Sequence, residues 1–160
     1  PQQIYLADDT IAANIAFGIE TKHIDIERVK YAARIADLGK FIEIEMADGY
    51  FSQVGERGVR LSGGQRQRIG IARALYHMPR VLVLDEATSS LDNNSERNVM
   101  KALGELGDDI TVIMVAHRMS TVVKCDKIFF IENGKIAAEG TYQELLEKHS
   151  GFRGMQKKDA

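Results

Sequence analysis

The spacing of apolar residues divides the chain into a helical part and a later part that contains strands. Between about residues 10 and 76, apolar positions recur every three or four residues, which predicts helices with little β pattern. Thr10 and Asp25 are typical N-caps for the first two helices, and a third short helix is expected near Phe41 to Met46.

The later part alternates predicted strands and helices. Val81 to Leu84 is an uninterrupted apolar run, which predicts a strand covered on both faces as in parallel α/β sheets. Two more strands are expected over Ile110 to Ala116 and Lys127 to Glu132, and we expect all three to form a parallel core. The remaining signals are a helix capped by Asn93 or Asn94, a short helix capped by Ser120 or Thr121, a hairpin turn at Asn133-Gly134, and a helix with a Thr141/Glu144 capping box.

The stretch from Leu61 to Asp92 carries most of the candidate chemistry. Ser62 and Gln65 have the spacing of a capping box, and Gly63 and Gly64 between them leave the start of a helix unshielded. Because the N–H groups at a helix start attract anions, this turn is a candidate phosphate site. The strand that follows delivers Asp85 and Glu86 at its carboxyl end, where open α/β sheets place their ligands.

Composition narrows the class of protein. The 160 residues are 44% hydrophobic and 28% charged, which is ordinary for a globular α/β domain. The net charge of −2 argues against non-specific nucleic-acid binding, so no nucleic-acid partner is expected. The only cysteine, Cys125, excludes an internal disulfide and is interpreted as a small hydrophobic residue. No apolar run is long enough to span a membrane, and we expect these residues by themselves to be soluble.

Taken together in this order, the motifs resemble those of the ATP-binding cassette (ABC) ATPases. LSGGQ is similar to the signature motif of that family, VLVLDE to its Walker B strand, SSLD to its D-loop and TVIMVAHRMSTV to its H-loop. The resemblance implies a P-loop NTPase-like α/β fold, with a helical signature subdomain at about residues 10–76. The remainder of a mostly parallel sheet core and a C-terminal helix would follow at about residues 77–160.

The resemblance also implies roles for individual residues, with ATP and Mg²⁺ as the ligands. The start of the chain, PQQIYLADDTIAANI, resembles the Q-loop of the family and the helix after it, with Gln2 as the glutamine. Asp85 and Gln2 would hold the magnesium, and Glu86 would be the general base. His117 and Gln2 would lie near the γ-phosphate. Ser62, Gly63, Gly64 and Gln65 would contact ATP held mainly by a second nucleotide-binding domain in a head-to-tail dimer. Asp92 of the D-loop would lie at that dimer interface.

The segment SQVGERG resembles the X-loop of ABC exporters, which importers usually lack. By itself this segment is a glycine-bracketed turn with a solvated ion pair. The resemblance implies that Glu56 and Arg57 couple the domain to the transmembrane domain of an exporter. The protein would then act on the cytoplasmic side of a membrane, driving transport by ATP hydrolysis.

The chain contains no G-x-x-x-x-G-K-S/T motif, the loop that cradles phosphates and supplies a lysine. Because it also starts at Pro1 and not at methionine, we expect it to be part of a longer polypeptide. An alternative is a non-catalytic piece that supplies only the signature motif and the dimer interface. A DNA-repair ATPase shares the signature, but it would need a long coiled coil before LSGGQ, and no heptads occur there.

The missing phosphate loop leads to a prediction about the isolated 160 residues. They should not bind Mg-ATP at micromolar affinity, because no phosphate cradle or lysine is available. They should also be marginally stable, self-associate, or have the gap closed by rearrangement or by another chain, because buried-type strands keep unpaired edges. Calorimetric titration with Mg-ATP and light scattering test both expectations. A robust monomer that binds ATP at micromolar affinity would contradict them.

Overall fold

The structure, a computed structural model, describes residues 4–88, 90–107, 110–116 and 118–159, without the side chains of residues 57 and 156–159. In these ranges the helices are α1 (Ile11–Ile15), α2 (Ile26–Ile35), α3 (Gly39–Glu45), α4 (Gly63–Tyr76), α5 (Asn93–Gly104), α6 (Met119–Val122), α7 (Tyr142–Lys148) and α8 (Ser150–Asp159). The strands are β1 (Val81–Asp85), β2 (Thr111–Val115), β3 (Ile128–Glu132) and β4 (Lys135–Gly140). Short 3₁₀ turns lie at Thr21–His23, Gly49–Phe51 and Glu56–Gly58.

The chain forms two compact units, residues 1–114 and residues 115–160. In the first unit, α4 is the central helix and packs against α1 and α2. Its inward side chains Ile69 and Ala72 are fully buried, as are Ile15 of α1 and Val29 and Ala33 of α2. Burial of this helical core is the main stabilising term of the unit, because apolar area removed from water contributes roughly 25 cal/mol per Å².

Strands β1 and β2 pair in a small parallel sheet. Leu82 and Leu84 are buried against the helices, but Val81 and Val83 are 54% and 62% exposed. Successive side chains of a strand point to opposite faces, so only one face of β1 is covered within the described residues. The expectation that this strand is covered on both faces is therefore wrong for this chain.

The second unit is built on the hairpin of β3 and β4, which pair antiparallel. Asn133 and Gly134 form its turn with φ of 49° and 73°, the left-handed conformation that such turns require. Met119, Ile128, Leu145 and Phe152 form a small separate core with α6, α7 and α8. The hairpin turn is confirmed, but the expectation that this strand joins β1 and β2 in one parallel core is not met. Instead, the tight turn pairs β3 locally with β4.

Four predicted helix starts are confirmed. The side chains of Thr10, Asp25, Ser62 and Thr141 all accept backbone N–H groups at the starts of α1, α2, α4 and α7. The third helix, expected from Phe41 to Met46, runs from Gly39 to Glu45.

Two expectations about the later helices are corrected, and one helix was missed. Asp92, and not Asn93 or Asn94, caps α5, because its carboxylate accepts the N–H groups of Asn94 and Ser95. Arg118 is the N-cap residue of α6 in place of Ser120 or Thr121, and its side chain makes no capping hydrogen bond. Helix α8 was not predicted at all, because its sequence is largely polar with few apolar positions to reveal a period.

Candidate functional site

The signature residues Ser62 to Gln65 form the first turn of α4. The Ser62 Oγ accepts the N–H of Gln65 at 3.2 Å, and the Gln65 Oε1 accepts the N–H of Ser62 at 2.7 Å. This reciprocal pair is the capping box that the sequence predicts. It fixes the direction of the first turn, so the positive end of the helix dipole has a defined position.

The two glycines in this turn differ in how much space surrounds them. A Cβ on Gly64 would lie 3.2 Å from the backbone oxygen of Ser90, so glycine lets the segment after β1 approach α4 closely. A Cβ on Gly63 would meet only the Arg66 guanidinium, at 4.0 Å. Packing within the described residues therefore explains glycine at position 64 but does not require it at position 63.

Asp85 and Glu86 lie side by side at the carboxyl end of β1. Asp85 is the last residue of the strand and is exposed, and Glu86 is half-buried. Glu86 has a φ of 48°, in the left-handed region that non-glycine residues rarely adopt. Its backbone oxygen accepts a hydrogen bond from the Gln67 Nε2 at 3.0 Å. Backbone held in such a conformation is concentrated at functional sites, which makes this turn a candidate site.

The segment after this turn includes Ser90 and Asp92. The Ser90 N–H donates to the Gln67 Oε1 at 3.1 Å, and the Ser90 hydroxyl donates to the same oxygen. Asp92 caps α5 while its side chain stays exposed. The Asp92 carboxyl accepts hydrogen bonds from Ser95, first of all from its backbone N–H. These bonds hold the pKa of the Asp92 carboxyl below its ordinary value. Asp92 is therefore ionised at neutral pH at the start of a helix, where a negative charge is favoured.

The turn that carries Glu56 and Arg57 is held by α4. Gly55 and Gly58 bracket it with φ of 74° and 69°. Arg66 of α4 donates to the backbone oxygen of Leu61 at 2.6 Å and to that of Gly58 at 3.5 Å. Glu56 is exposed, and the Arg57 side chain is not described.

Two further predicted site residues, Gln2 and His117, lie outside the described residues. The described members fall into three places. The start of α4 carries Ser62, Gly63, Gly64 and Gln65, and the end of β1 with the segment after it carries Asp85, Glu86 and Asp92. Glu56 lies in the turn before α4. Gln67 connects the first two places, since it belongs to α4 and bonds both Glu86 and Ser90.

Gln67 and Arg68 were not predicted from the sequence to be functional residues. The Arg68 Nη1 donates to the Asp37 backbone oxygen at 2.9 Å, to its carboxylate at 3.3 Å and to the Ser95 hydroxyl at 3.2 Å. A signal for Gln67 was present. It lies four and eight residues before Ile71 and Leu75, and thus on a stripe of α4 that is buried. A polar residue on such a stripe indicates a buried hydrogen-bond partner.

Comparison with known proteins decides the family. The model of the ABC transporter family matches residues 8–89, just over half of the chain. The chain belongs to the ABC transporter family. The family prediction from the LSGGQ stretch is confirmed, and so is the α/β ABC ATPase fold, present here in part.

Individual ABC transporters resemble this chain over most of its length. An ATP-dependent lipid A-core flippase of Saccharophagus degradans is 50% identical over 154 residues, which are 96% of this chain and 26% of the flippase. The heterocyst differentiation ATP-binding protein HepA of a Nostoc species is 48% identical over 147 residues, 92% of this chain and 24% of HepA. The chain thus spans about a quarter of the length of these curated relatives.

A solved structure supports the same assignment. The structure of a bacterial Atm1-family ABC exporter with ATP bound is 36% identical and matches all of this chain and 28% of its own, with a TM-score of 0.90. None of the helices in the described ranges combines the length and apolar character needed to cross a membrane.

The donor set at the end of β1 fits Mg²⁺. This ion prefers carboxylate oxygens and usually binds through one or two of them together with substrate phosphates. Asp85 offers an exposed carboxylate at the strand end. Among the residues that the structure describes, no three His, Cys, Asp or Glu side chains are grouped so as to hold a metal.

The two capping boxes of the chain allow a matched test of the Ser62 cap. Ser62→Ala should lower the free energy of unfolding by about 1 kcal/mol, because the N–H of Gln65 loses its acceptor. Thr141→Ala removes the equivalent bond to Glu144 in α7 and should cost about the same. Urea denaturation of the two variants checks this. An unchanged stability of Ser62→Ala beside a destabilised Thr141→Ala would show that the Ser62 cap is not used.

Proposed function

We propose that the chain is part of a nucleotide-binding domain of an ABC exporter, which hydrolyses ATP to drive transport across a membrane. Residues of about 10–76 would be the helical signature subdomain, and about 77–160 would be the rest of the α/β core. The domain would lie on the cytoplasmic side, attached to a transmembrane domain. The names of the relatives, a flippase and an Atm1-family exporter, support export as the direction.

The observation that carries the proposal is the turn after β1. Glu86 follows an exposed aspartate and is held in a left-handed backbone conformation by a hydrogen bond from the signature helix. In this proposal the Glu86 carboxylate accepts a proton from the attacking water, and Asp85 holds Mg²⁺. The bound ion would neutralise charge on the phosphates of ATP. Gln2 and His117 would complete the surroundings of the γ-phosphate.

The start of α4 is proposed to contact ATP of a second nucleotide-binding domain. The capping box orients the first turn, and nothing within the described residues requires glycine at position 63. A close approach by a phosphate would explain that glycine, since a side chain there would shield the N–H groups. Asp92, ionised and exposed, would then lie at the interface of a head-to-tail dimer.

Coupling to the transmembrane domain is proposed for the turn of Glu56 and Arg57. Arg66 connects this turn to the signature helix, so a displacement of the turn would also displace the helix, and the reverse. The glycines at both ends allow the exposed Glu56 to project from a tight turn. The Arg66 hydrogen bonds support the proposal that movement of the transmembrane domain reaches the ATP site through this turn.

A second candidate function is a non-catalytic one. In this second candidate the signature turn of α4 and the exposed Asp92 contribute only to ATP bound by a partner, and Glu86 takes no part in hydrolysis. The two candidates differ in whether Glu86 is needed for hydrolysis.

Glu86→Gln in the full-length protein that contains this chain separates them. If Glu86 is the base, hydrolysis should fall at least ~10²-fold while ATP binding is kept, because the amide cannot accept the proton. ATPase rate and nucleotide affinity are the measurements. Glu147→Gln, the same change on the exposed side of α7, is the control and should leave both unchanged. Near-normal turnover by Glu86→Gln would favour the non-catalytic function.

The proposed contact with a partner's ATP has its own test. In the full-length protein Ser62→Ala should weaken ATP-driven association of the nucleotide-binding domains, because a phosphate contact is lost as well as a cap. Thr141→Ala should match its loss of stability and leave association intact, since that cap lies in α7. Cross-linking of the domains with and without ATP measures association. Equal, small effects of both substitutions would leave Ser62 with only a structural role.

A further inference from the structure

Gln67 occupies an unusual place for a glutamine. It is 9% exposed, on the core-facing side of α4. A buried amide without partners is costly, so its hydrogen bonds determine its orientation. Its Nε2 donates to the Glu86 oxygen at 3.0 Å, and its Oε1 accepts both the N–H and the hydroxyl of Ser90.

The orientation of this amide is fixed by its partners. A backbone N–H can only donate, so the atom facing the N–H of Ser90 must be the Gln67 oxygen. A backbone oxygen can only accept, so the atom facing Glu86 must be the NH₂ group. Reversing the amide would place two donors together at one end and two acceptors at the other. Only a side chain with one donor and one acceptor, at this length, satisfies both ends.

The bond to Glu86 reaches a strained part of the backbone. The φ of 48° at Glu86 is unfavourable for a non-glycine residue unless its surroundings hold it. A hydrogen bond to the oxygen of that same residue fixes the direction of its peptide group. The conformation of this peptide determines where the Glu86 side chain projects from the end of β1.

The bond to Ser90 reaches the segment that leads to Asp92. Gly64, one turn earlier in α4, permits the close approach of the Ser90 backbone. The Gln67 side chain therefore lies between the carboxylate turn and this segment and bonds to both.

We propose that Gln67 is a positioning residue that holds the Glu86 peptide and the Ser90 segment in register with the signature helix. The inference rests on the proposed function, in which Glu86 is the general base. Gln67 itself contacts no reacting atom. It sets the direction of the base and makes that direction depend on the position of α4. Movement of the signature helix would thereby change the direction of Glu86 and with it the rate of hydrolysis.

Gln67→Glu in the full-length protein tests the hydrogen bond that Gln67 donates to Glu86. A carboxylate keeps the length of the side chain and can still accept from Ser90, but it cannot donate to the oxygen of Glu86. We expect kcat for ATP hydrolysis to fall about 10- to 100-fold, the range for a misplaced catalytic group. KM for ATP should stay within about threefold, because ground-state binding is not altered. The midpoint of thermal unfolding should fall, because a charge is placed in a nearly buried site, so kcat and KM are measured at a temperature where circular dichroism shows both proteins to be folded.

Two controls make the result interpretable. Gln143→Glu, the same change at an exposed position of α7, should leave kcat and KM unchanged. Glu86→Gln, assayed beside it, reports on the proposed function independently. If Glu86→Gln is inactive and Gln67→Glu hydrolyses normally, the positioning role is overturned and the proposed function stands. If Glu86→Gln hydrolyses ATP at the normal rate, the proposed function is overturned, and the positioning role that rests on it is overturned as well.

Two other outcomes would also overturn the inference. A fall in kcat with a matching rise in KM, or with loss of folded protein at the assay temperature, would assign Gln67 a structural role only. A similar loss in Gln143→Glu would indicate a general effect of added negative charge. Lowered kcat and retained KM in a protein that stays folded at the assay temperature are what a positioning role predicts.

Discussion

The hydrogen bonds made by the side chains of α4 determine how the rest of the first unit is arranged. The helix begins at a capping box, and its successive polar side chains reach different parts of the chain. Arg66 holds the turn before the helix, Gln67 the turn after β1, and Arg68 both the end of α2 and the start of α5. Arg73 donates to the Asn14 oxygen at 2.9 Å in α1. Burial lowers the pKa of the Arg73 guanidinium, which shows how far this contact is withdrawn from water.

Apolar packing and polar contacts contribute differently to this arrangement. Buried side chains such as Ile69 supply most of the free energy, but hydrophobic contact is not directional. Hydrogen bonds contribute only about 0.5–1.5 kcal/mol each, yet leaving a buried partner unsatisfied costs more. The polar side chains of α4 therefore select one rotation of the helix among those that bury its apolar face equally well.

Local signals in the sequence were enough to predict most elements and the family, but long-range contacts were not. Ser62, Thr141 and Asn133-Gly134 act on neighbours within a few residues, so their caps and turn were predicted correctly. The capping role of Asp92 in α5 was not predicted. The cap was assigned to Asn93 or Asn94, and Asp92 was assigned only to the dimer interface.

The exposed face of β1 and the contacts of Gln67 depend on partners distant in sequence. An apolar run such as residues 81–84 carries no information about whether a second layer lies within the same chain. Val83 is consequently exposed where burial was expected. Gln67 and Ser90 are separated by 23 residues, and no spacing rule connects them. Only the folded backbone, with Gly64 allowing close approach, brings these groups together.

The adjacency of Gln67 and Arg68 has a mechanical consequence. Neighbouring residues of an α-helix project about 100° apart, since each turn contains 3.6 residues. Gln67 bonds to the turn after β1, and Arg68 bonds to Asp37 and Ser95 in another direction. A twist of α4 about its own axis would therefore break both sets of bonds together and not in sequence. A tilt or a slide of the helix keeps these bonds only if the bonded segments move with it. We therefore expect a small displacement of its first turn to move α4 and these segments as one rigid body.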